Sequence, residues 1–430
     1  MRPTAVVMNL YYTGLGIARS LGEHGIPVIG LTAQHGIYGN FTRYAKTIFA
    51  PDSRNEPEAL VEHLLKLGTE LGHRSVIFPT RDDDVLLLDR FRQQLEPHFI
   101  LTIPESPVLQ ACLSKWETYQ WAQKAGVPTP RCWQVNTERD LPGILEEVTY
   151  PCVLKPIASY HWRKGGNWTL VGARKAIGIF SREQLIAEYT AISRANEQAL
   201  LQQMVPGSDD CLIIAACYLD RESRWVAGFN TQKLIQSPEG FGTGCIVQAV
   251  DRPELMDRTF QLLHTMRFTG IAEVEYKWDA GQNDYQLIEI NPRPWDQHRL
   301  GRGCGTDLVY LAYCEHAGLP IPVVRNRPAK EKWIADDTFI LTALRLLLKR
   351  DPKLRTLFSS ARGRRIYGIW SAKDPLPSLL YFMLRFFPDL MRTGWQFVRS
   401  LLKRKTASQS PAMQTKLAYE NQLGRGKSHV

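Results

Sequence analysis

Two strand-like stretches gather most of the acidic and amide side chains that could act together. Ile271-Ala-Glu-Val-Glu-Tyr-Lys-Trp278 is joined to Tyr285-Gln-Leu-Ile-Glu-Ile-Asn-Pro-Arg-Pro294 by Asp279-Ala-Gly-Gln-Asn-Asp284. A polar, glycine-containing connection between apolar runs marks a hairpin. Side chains alternate along a strand, so Leu287, Glu289 and Asn291 are expected on one face, with Ile288 and Ile290 packed behind it. Glu273 and Glu275 likewise share a face of the partner strand, and carboxylates and an amide oxygen then converge on one point. Such oxygen ligands suit Mg²⁺, with Mn²⁺ as the substitute ion, because Mg²⁺ takes a few carboxylates plus phosphate oxygens and water. Arg293, two residues past Asn291, offers a planar fork to a phosphate or carboxylate. A surface hairpin with a polar outer face accounts for any one of these residues, but less well for the whole set.

The elements that must position this set belong to a chain of 430 residues, long enough for two or three domains with their own cores. An apolar fraction of 44% and a charged fraction of 22% are those of a folded soluble protein. Residues 1 to 112 alternate strands (Ala5–Leu10, Pro27–Leu31, Ser75–Pro79) with helices (Gly14–Gly25, Glu56–Leu71, Val85–Leu95), the pattern of a parallel sheet covered by helices. Gly14-Leu-Gly16 is a partial dinucleotide fingerprint with Arg19 at the third glycine position, and a tight strand-to-helix turn explains it as well. Ser114, with Glu117 three residues on, opens a helix that Gly126 and two prolines close. Tyr150-Pro-Cys-Val-Leu-Lys-Pro156 is an apolar strand ending in lysine, a point charge suited to phosphate. Lys233, in Gln232-Lys-Leu-Ile235, is a second cation of this kind.

Over roughly residues 1–320 these segments resemble the ATP-grasp superfamily. The resemblance implies an α/β chain: a parallel-sheet α/β domain (1–112) followed by a two-lobed α+β ATP-grasp domain (113–325). It implies that Glu275, Glu289 and Asn291 hold the magnesium ions bridging the ATP phosphates, with Glu273 the competitor for the first position. Arg293 and Lys233 would stand beside the reacting phosphoryl group as catalytic cations. Lys155 would neutralise the α/β-phosphates and Lys115 would contact nucleotide. In the hinge-like Leu200–Gly207, Gln203 and Val205 would meet the adenine edge, and Asp210 or Asp209 the ribose. Ser159–Trp168 stands where a glycine-rich phosphate-covering loop is expected, and it keeps only Gly165 and Gly166. Arg81-Asp-Asp-Asp84 would face the cleft. Trp295–Arg299 and Arg302 would line the acceptor pocket, with His298 either a general base or a structural residue.

The activity so implied is carboxylate–amine ligation. A small-molecule carboxylate attacks the γ-phosphate of ATP, giving an acyl phosphate and ADP, and an amine then displaces phosphate. Phosphoryl transfer needs mainly positioned cations around spreading negative charge, and these residues supply them. Two other readings compete. One is a nucleotide-binding regulatory or scaffolding protein without turnover, which the glycine-poor loop favours. The other is a biotin-carboxylase-like enzyme, which the metal segment also resembles, although no biotin-carrier segment is present.

The net charge of +10 is unevenly placed. Residues 325–405 hold 19 Lys/Arg against 6 Asp/Glu, whereas the first 324 residues are mildly acidic, so the charge is no argument for nucleic-acid binding. Residues 326–405 read as a basic helical extension and 406–430 as a disordered polar tail. In 379–403 the polar residues Arg385, Asp389, Arg392, Gln396, Arg399 and Lys403 form one narrow stripe on a helix that Pro388 should kink. The wide apolar face suggests either peripheral contact with an anionic membrane or a homodimer interface. Eight scattered cysteines, none in a Cys-x-x-Cys pair, argue against a zinc site or disulfide framework. With a strand-length apolar run at Ala5–Met8 in place of a signal peptide, they point to the cytoplasm, at most at the inner face of the membrane.

Overall fold

The computed structural model describes residues 2–163, 167–172, 174–194, 196, 198–238, 240, 242–325, 327, 330–388, 390 and 391. Strands β1 (Ala5–Met8), β2 (Val28–Thr32), β3 (Lys46–Phe49), β4 (Ser75–Phe78) and β5 (Phe99–Leu101) form a parallel sheet of order β3-β2-β1-β4-β5. The central strands read as continuous apolar runs because helices cover both faces. The two glycines after β1 are packing devices. A Cβ on Gly14 would meet the Asn9 carbonyl oxygen at 1.8 Å, and one on Gly16 would meet His298 Nε2 at 2.5 Å.

Next in the chain are β6 (Cys132–Val135), β7 (Cys152–Pro156), β8 (Ile177–Ile179) and β9 (Ala199–Gln203), an antiparallel sheet of order β6-β9-β7-β8. Trp133, Leu154, Trp162 and Tyr189 fill its core. The largest sheet contains β10 (Leu212–Leu219), β11 (Trp225–Ser237), β12 (Thr243–Val250), β13 (Gly270–Asp279), β14 (Asp284–Asn291), β15 (Lys332–Ile334) and β16 (Arg365–Tyr367), in the order β14-β13-β10-β11-β12-β15-β16. One face packs Ile214, Tyr218 and Trp333 with Val7 and Ile17 of the first domain, and the other packs Ala215 and Val274 with Leu255 and Leu262.

The expected boundary at 325 is not a break in packing. Beyond it, β15 pairs with β12 and β16 with β15, and the first compact unit runs from Met1 to Pro377. Arg19, wholly buried, fixes this segment to the first domain. Its Nε donates to Asp374 at 2.9 Å and its Nη2 to the Ile369 carbonyl at 2.7 Å. Asp374 also accepts from the Thr42 hydroxyl at 2.6 Å and the Arg43 N–H at 3.0 Å.

The second unit is Ser378–Val430. Its described part has a π-type turn over Phe382–Phe386 ahead of Pro388, whose ring cannot donate into the preceding turn. Leu379, Met383, Leu384, Phe387 and Met391 are exposed. Asp389, Arg392, Gln396, Arg399, Lys403 and the tail 406–430 lie outside the described residues.

Candidate active site

The metal segment is the hairpin of β13 and β14, longer by a residue or two at each strand than the pattern predicts. Glu273 stands opposite Asn291 and Glu275 opposite Glu289. One expectation fails here. The register shifts between Glu275 and Tyr276, so that Tyr276 pairs with Leu287 and Ile288 is the extra residue of a bulge. Leu287 therefore joins Ile290 in the core, while Ile288 lines the cavity. A bulge re-aims side chains in this way, and period-two alternation cannot foresee it.

The cavity, of about 360 Å³, lies among β7, β9, β11, β13, β14 and the first domain. Lys155 ends β7 inside it, its ammonium donating to Gln202. Burial first, then the nearby Lys115, pushes the Lys155 ammonium down to about 8. Lys115, the first residue of a helix capped by Ser114, reaches Glu289 at 3.3 Å and Ser159 at 3.3 Å. Lys233 on β11 pairs with Glu275 at 2.6 Å. Arg293 donates from Nε to Asp82 at 2.7 Å and from Nη2 to Asn291 Oδ1 at 3.4 Å. Asp82 opens the helix Asp82–Arg90 of the first domain, so that domain completes the site.

The Asn291 amide bridges the carboxylates, donating to Glu273 at 3.0 Å and Glu289 at 3.3 Å. Burial, then Glu275, pushes Glu273 up to about 8. Burial pushes Glu289 upward too, but Lys115, then Lys155 and Lys233, hold it well below the usual carboxylate range. Crowded, buried carboxylates beside an amide oxygen form a donor set short of positive charge, which fits a hard divalent cation. Among the described residues no three His, Cys, Asp or Glu side chains form an ion cage by themselves. That is how Mg²⁺ sits in nucleotide sites, on one or two carboxylates completed by phosphate oxygens.

Gln203 and Val205 line the cavity as expected, whereas Asp210 is outside it, bonded by the Ser208 hydroxyl in the turn Asp209–Cys211. Asp209 ties that turn to Gln236 at 2.9 Å. Of Trp295–Arg299 and Arg302, only Trp295, Asp296 and Gln297 line the cavity. Arg299 and Arg302 instead bond Glu23 of the helix Tyr12–Glu23, at 3.1 and 2.6 Å. His298 is buried against the Thr13 carbonyl at 3.3 Å, and burial pushes it down to about 4, so it is a neutral core residue.

No protein-family model matches the chain. A D-aspartate ligase of Enterococcus faecium is 24% identical over 302 residues, covering 66% of this chain and 69% of that protein. A D-alanine–D-alanine ligase of Pseudomonas entomophila is 23% identical over 217 residues, covering 46% of this chain and 62% of its own length. The structure of a biotin carboxylase from Campylobacter jejuni, a βγ-ATP complex, superposes with a TM-score of 0.61 at 15% identity, covering 76% of this chain and 74% of that one. An L-amino acid ligase from Bacillus licheniformis gives 0.57 at 13% identity, covering 74% and 75%. The chain is an ATP-grasp protein. Within this ATP-grasp fold, sequence reasoning overlooked Gln202 as the partner of Lys155, and Arg163 and Lys175 as cations of the cavity. Gln202 directly precedes the hinge candidate Gln203, and Lys175 directly precedes the short strand β8, but neither position carries a signal of its own.

Proposed function

We propose that this ATP-grasp protein is an ATP-dependent ligase that joins a small-molecule carboxylate to an amine through an acyl phosphate. The observation that carries this reading is one cavity in which Lys155, Lys115, Lys233 and Arg293 face Glu273, Glu275, Glu289 and Asn291. Its sequence relatives are ligases, and ATP-grasp neighbours have been solved with ATP-type or ADP ligands. Glu289, Asn291 and one of Glu273 or Glu275 would hold Mg²⁺, which screens phosphate charge and orients the oxygens when bound. Lys155 neutralises the inner phosphates from the end of β7. The backbone near Gln203 and Val205 meets the base. Arg293, held by Asp82, faces the transferring phosphoryl group. The substrate carboxylate oxygen bonds to the γ-phosphorus as the bond to the β,γ-bridging oxygen breaks and ADP leaves. The amine nitrogen then bonds to the acyl carbon, phosphate leaves and the amine loses a proton. No side-chain nucleophile is needed.

ADP release from Mg-ATP with mixed carboxylate and amine pools tests the reading. Wild-type protein turns over, whereas Glu289→Gln and Asn291→Ala lose turnover while keeping their circular dichroism. Turnover in both variants at limiting Mg²⁺ sinks the metal assignment. Absence of ADP release with every pool favours the regulatory alternative.

We also infer that residues 379–403 contact an anionic membrane surface peripherally. The exposed Leu379, Met383, Leu384, Phe387 and Met391 support this, together with the basic residues between 325 and 405. No helix among the described residues is long and apolar enough to cross a membrane. Flotation with phosphatidylserine vesicles at low salt tests the idea. Full-length protein should float and protein ending at Pro377 should not. An unbound but dimeric full-length protein assigns the face to a homodimer instead.

A further inference from the structure

Beyond the metal segment, the cavity ends in a wall made by Thr13, Trp295, Asp296 and Gln297. Asp296 is the one cavity-lining carboxylate there, and its Oδ1 accepts from the Thr13 hydroxyl at 2.8 Å. The other carboxylates of the site are already engaged: Glu289 with Lys115, Glu275 with Lys233, Asp82 with Arg293, and Glu273 with Asn291. Asp296 forms no ion pair with a described residue. Facing it is Lys175, just ahead of β8, which feels the charges of Arg163, Glu289, Lys233 and Asp296. Lys175 likewise forms no ion pair with a described residue, and Arg163, beside it, only overlies Trp168 at 5.7 Å. A carboxylate and an ammonium that feel each other without touching leave room for a ligand carrying both opposite charges.

We propose that this end of the cavity seats an α-amino acid as the acyl donor, with its ammonium on Asp296 and its carboxylate facing Lys175. The inference rests on the ligase reading and names its substrate class. An acyl donor fits better than an amine acceptor for a chemical reason. An amine that must attack has to be neutral, whereas a charge pair with Asp296 keeps an amine protonated and unreactive, leaving the carboxylate as the only group free to be phosphorylated. The bland account of Asp296 is a tie to Thr13 of the first domain. Asp296→Asn separates the two, because an amide oxygen still accepts the Thr13 hydroxyl while the charge is gone.

The test uses the full chain with Mg-ATP and hydroxylamine as a surrogate amine. An acid then yields its hydroxamate, ADP and phosphate in equal amounts. A panel of L- and D-α-amino acids is run beside their N-acetyl forms and the corresponding acids lacking the amino group. Wild-type protein should form hydroxamate from one or more free amino acids, with lower KM than for the N-acetyl or deaminated counterpart. In Asp296→Asn that KM should rise about thirtyfold or more, the loss expected when a buried charge pair loses one partner. The KM for the deaminated acid and the affinity for ATP should stay unchanged. Thr13→Val, which removes the tie and keeps the charge, should shift the KM far less. Deaminated acids used as well as amino acids overturn the inference and leave the ligase reading intact, as does an Asp296→Asn variant with an unaltered KM. ADP release with no acid of either kind overturns both.

Discussion

Replacing Lys155 with Met should strengthen the fold and weaken nucleotide binding at once. Burial, then Lys115, lowers the Lys155 ammonium from 10.5 to about 8. Such a displacement corresponds to about 3 kcal/mol held against the fold at neutral pH. Gln202, the ammonium's acceptor, also accepts from the Tyr119 hydroxyl at 3.3 Å, so Met leaves no orphaned oxygen. The gain should be about 1–3 kcal/mol once imperfect packing is allowed for. For a cooperative unit of Met1–Pro377, that raises Tm by about 1–4 °C. ATP should bind about 10- to 150-fold more weakly, the worth of one charge-assisted hydrogen bond. The sign of the pH effect follows from the depressed pKa. Between about 8 and 10.5 the unfolded chain holds the proton that the folded chain has lost, so this residue makes stability rise with pH across that window. ATP binding should restore the charge, with uptake of about half a proton near pH 8. Differential scanning calorimetry without nucleotide and titration calorimetry in two buffers of different ionisation heat measure these quantities. A Lys155→Met protein that melts earlier and binds ATP as before would refute the reasoning.

Asp374→Ala should destabilise the protein by about 3–5 kcal/mol, since Arg19, buried with it, loses its only carboxylate partner; denaturant titration reads the change in midpoint. His298→Gln should leave turnover and its pH profile within about twofold of wild type, because a neutral ring held at about 4 has no proton to exchange at neutral pH. A lost limb in that profile would restore His298 to catalysis.

The hairpin of β13 and β14 was legible because strand alternation and residue chemistry coincide there. Lys155 was legible because an apolar strand ending in lysine is uncommon. The bulge at Ile288 was not, since a shift of register leaves no mark on a single strand. Arg299 and Arg302 looked like pocket residues because they follow the metal segment, yet their partner Glu23 lies more than 270 positions earlier. Net charge misled in a similar way about residues beyond 325. Lys332–Ile334 supplies a strand to the largest sheet although basic residues surround it, because strand pairing requires only a backbone and a few inward apolar side chains such as Trp333. Asp296 and Lys175 belong to separate lobes, and only the closed cleft brings their charges within range of each other.

The bond between Arg19 and Asp374 also sets a schedule for synthesis. Its partners are 355 residues apart, so a ribosome adding about 5–20 residues per second needs about 20–70 s to supply the second after the first. Throughout that interval the first parallel sheet has all five of its strands, but the guanidinium meant for its interior has no carboxylate to meet. A domain with every strand present is thus kept from its final packing by a residue near the far end of the message, and that interval is when a chaperone would find it open.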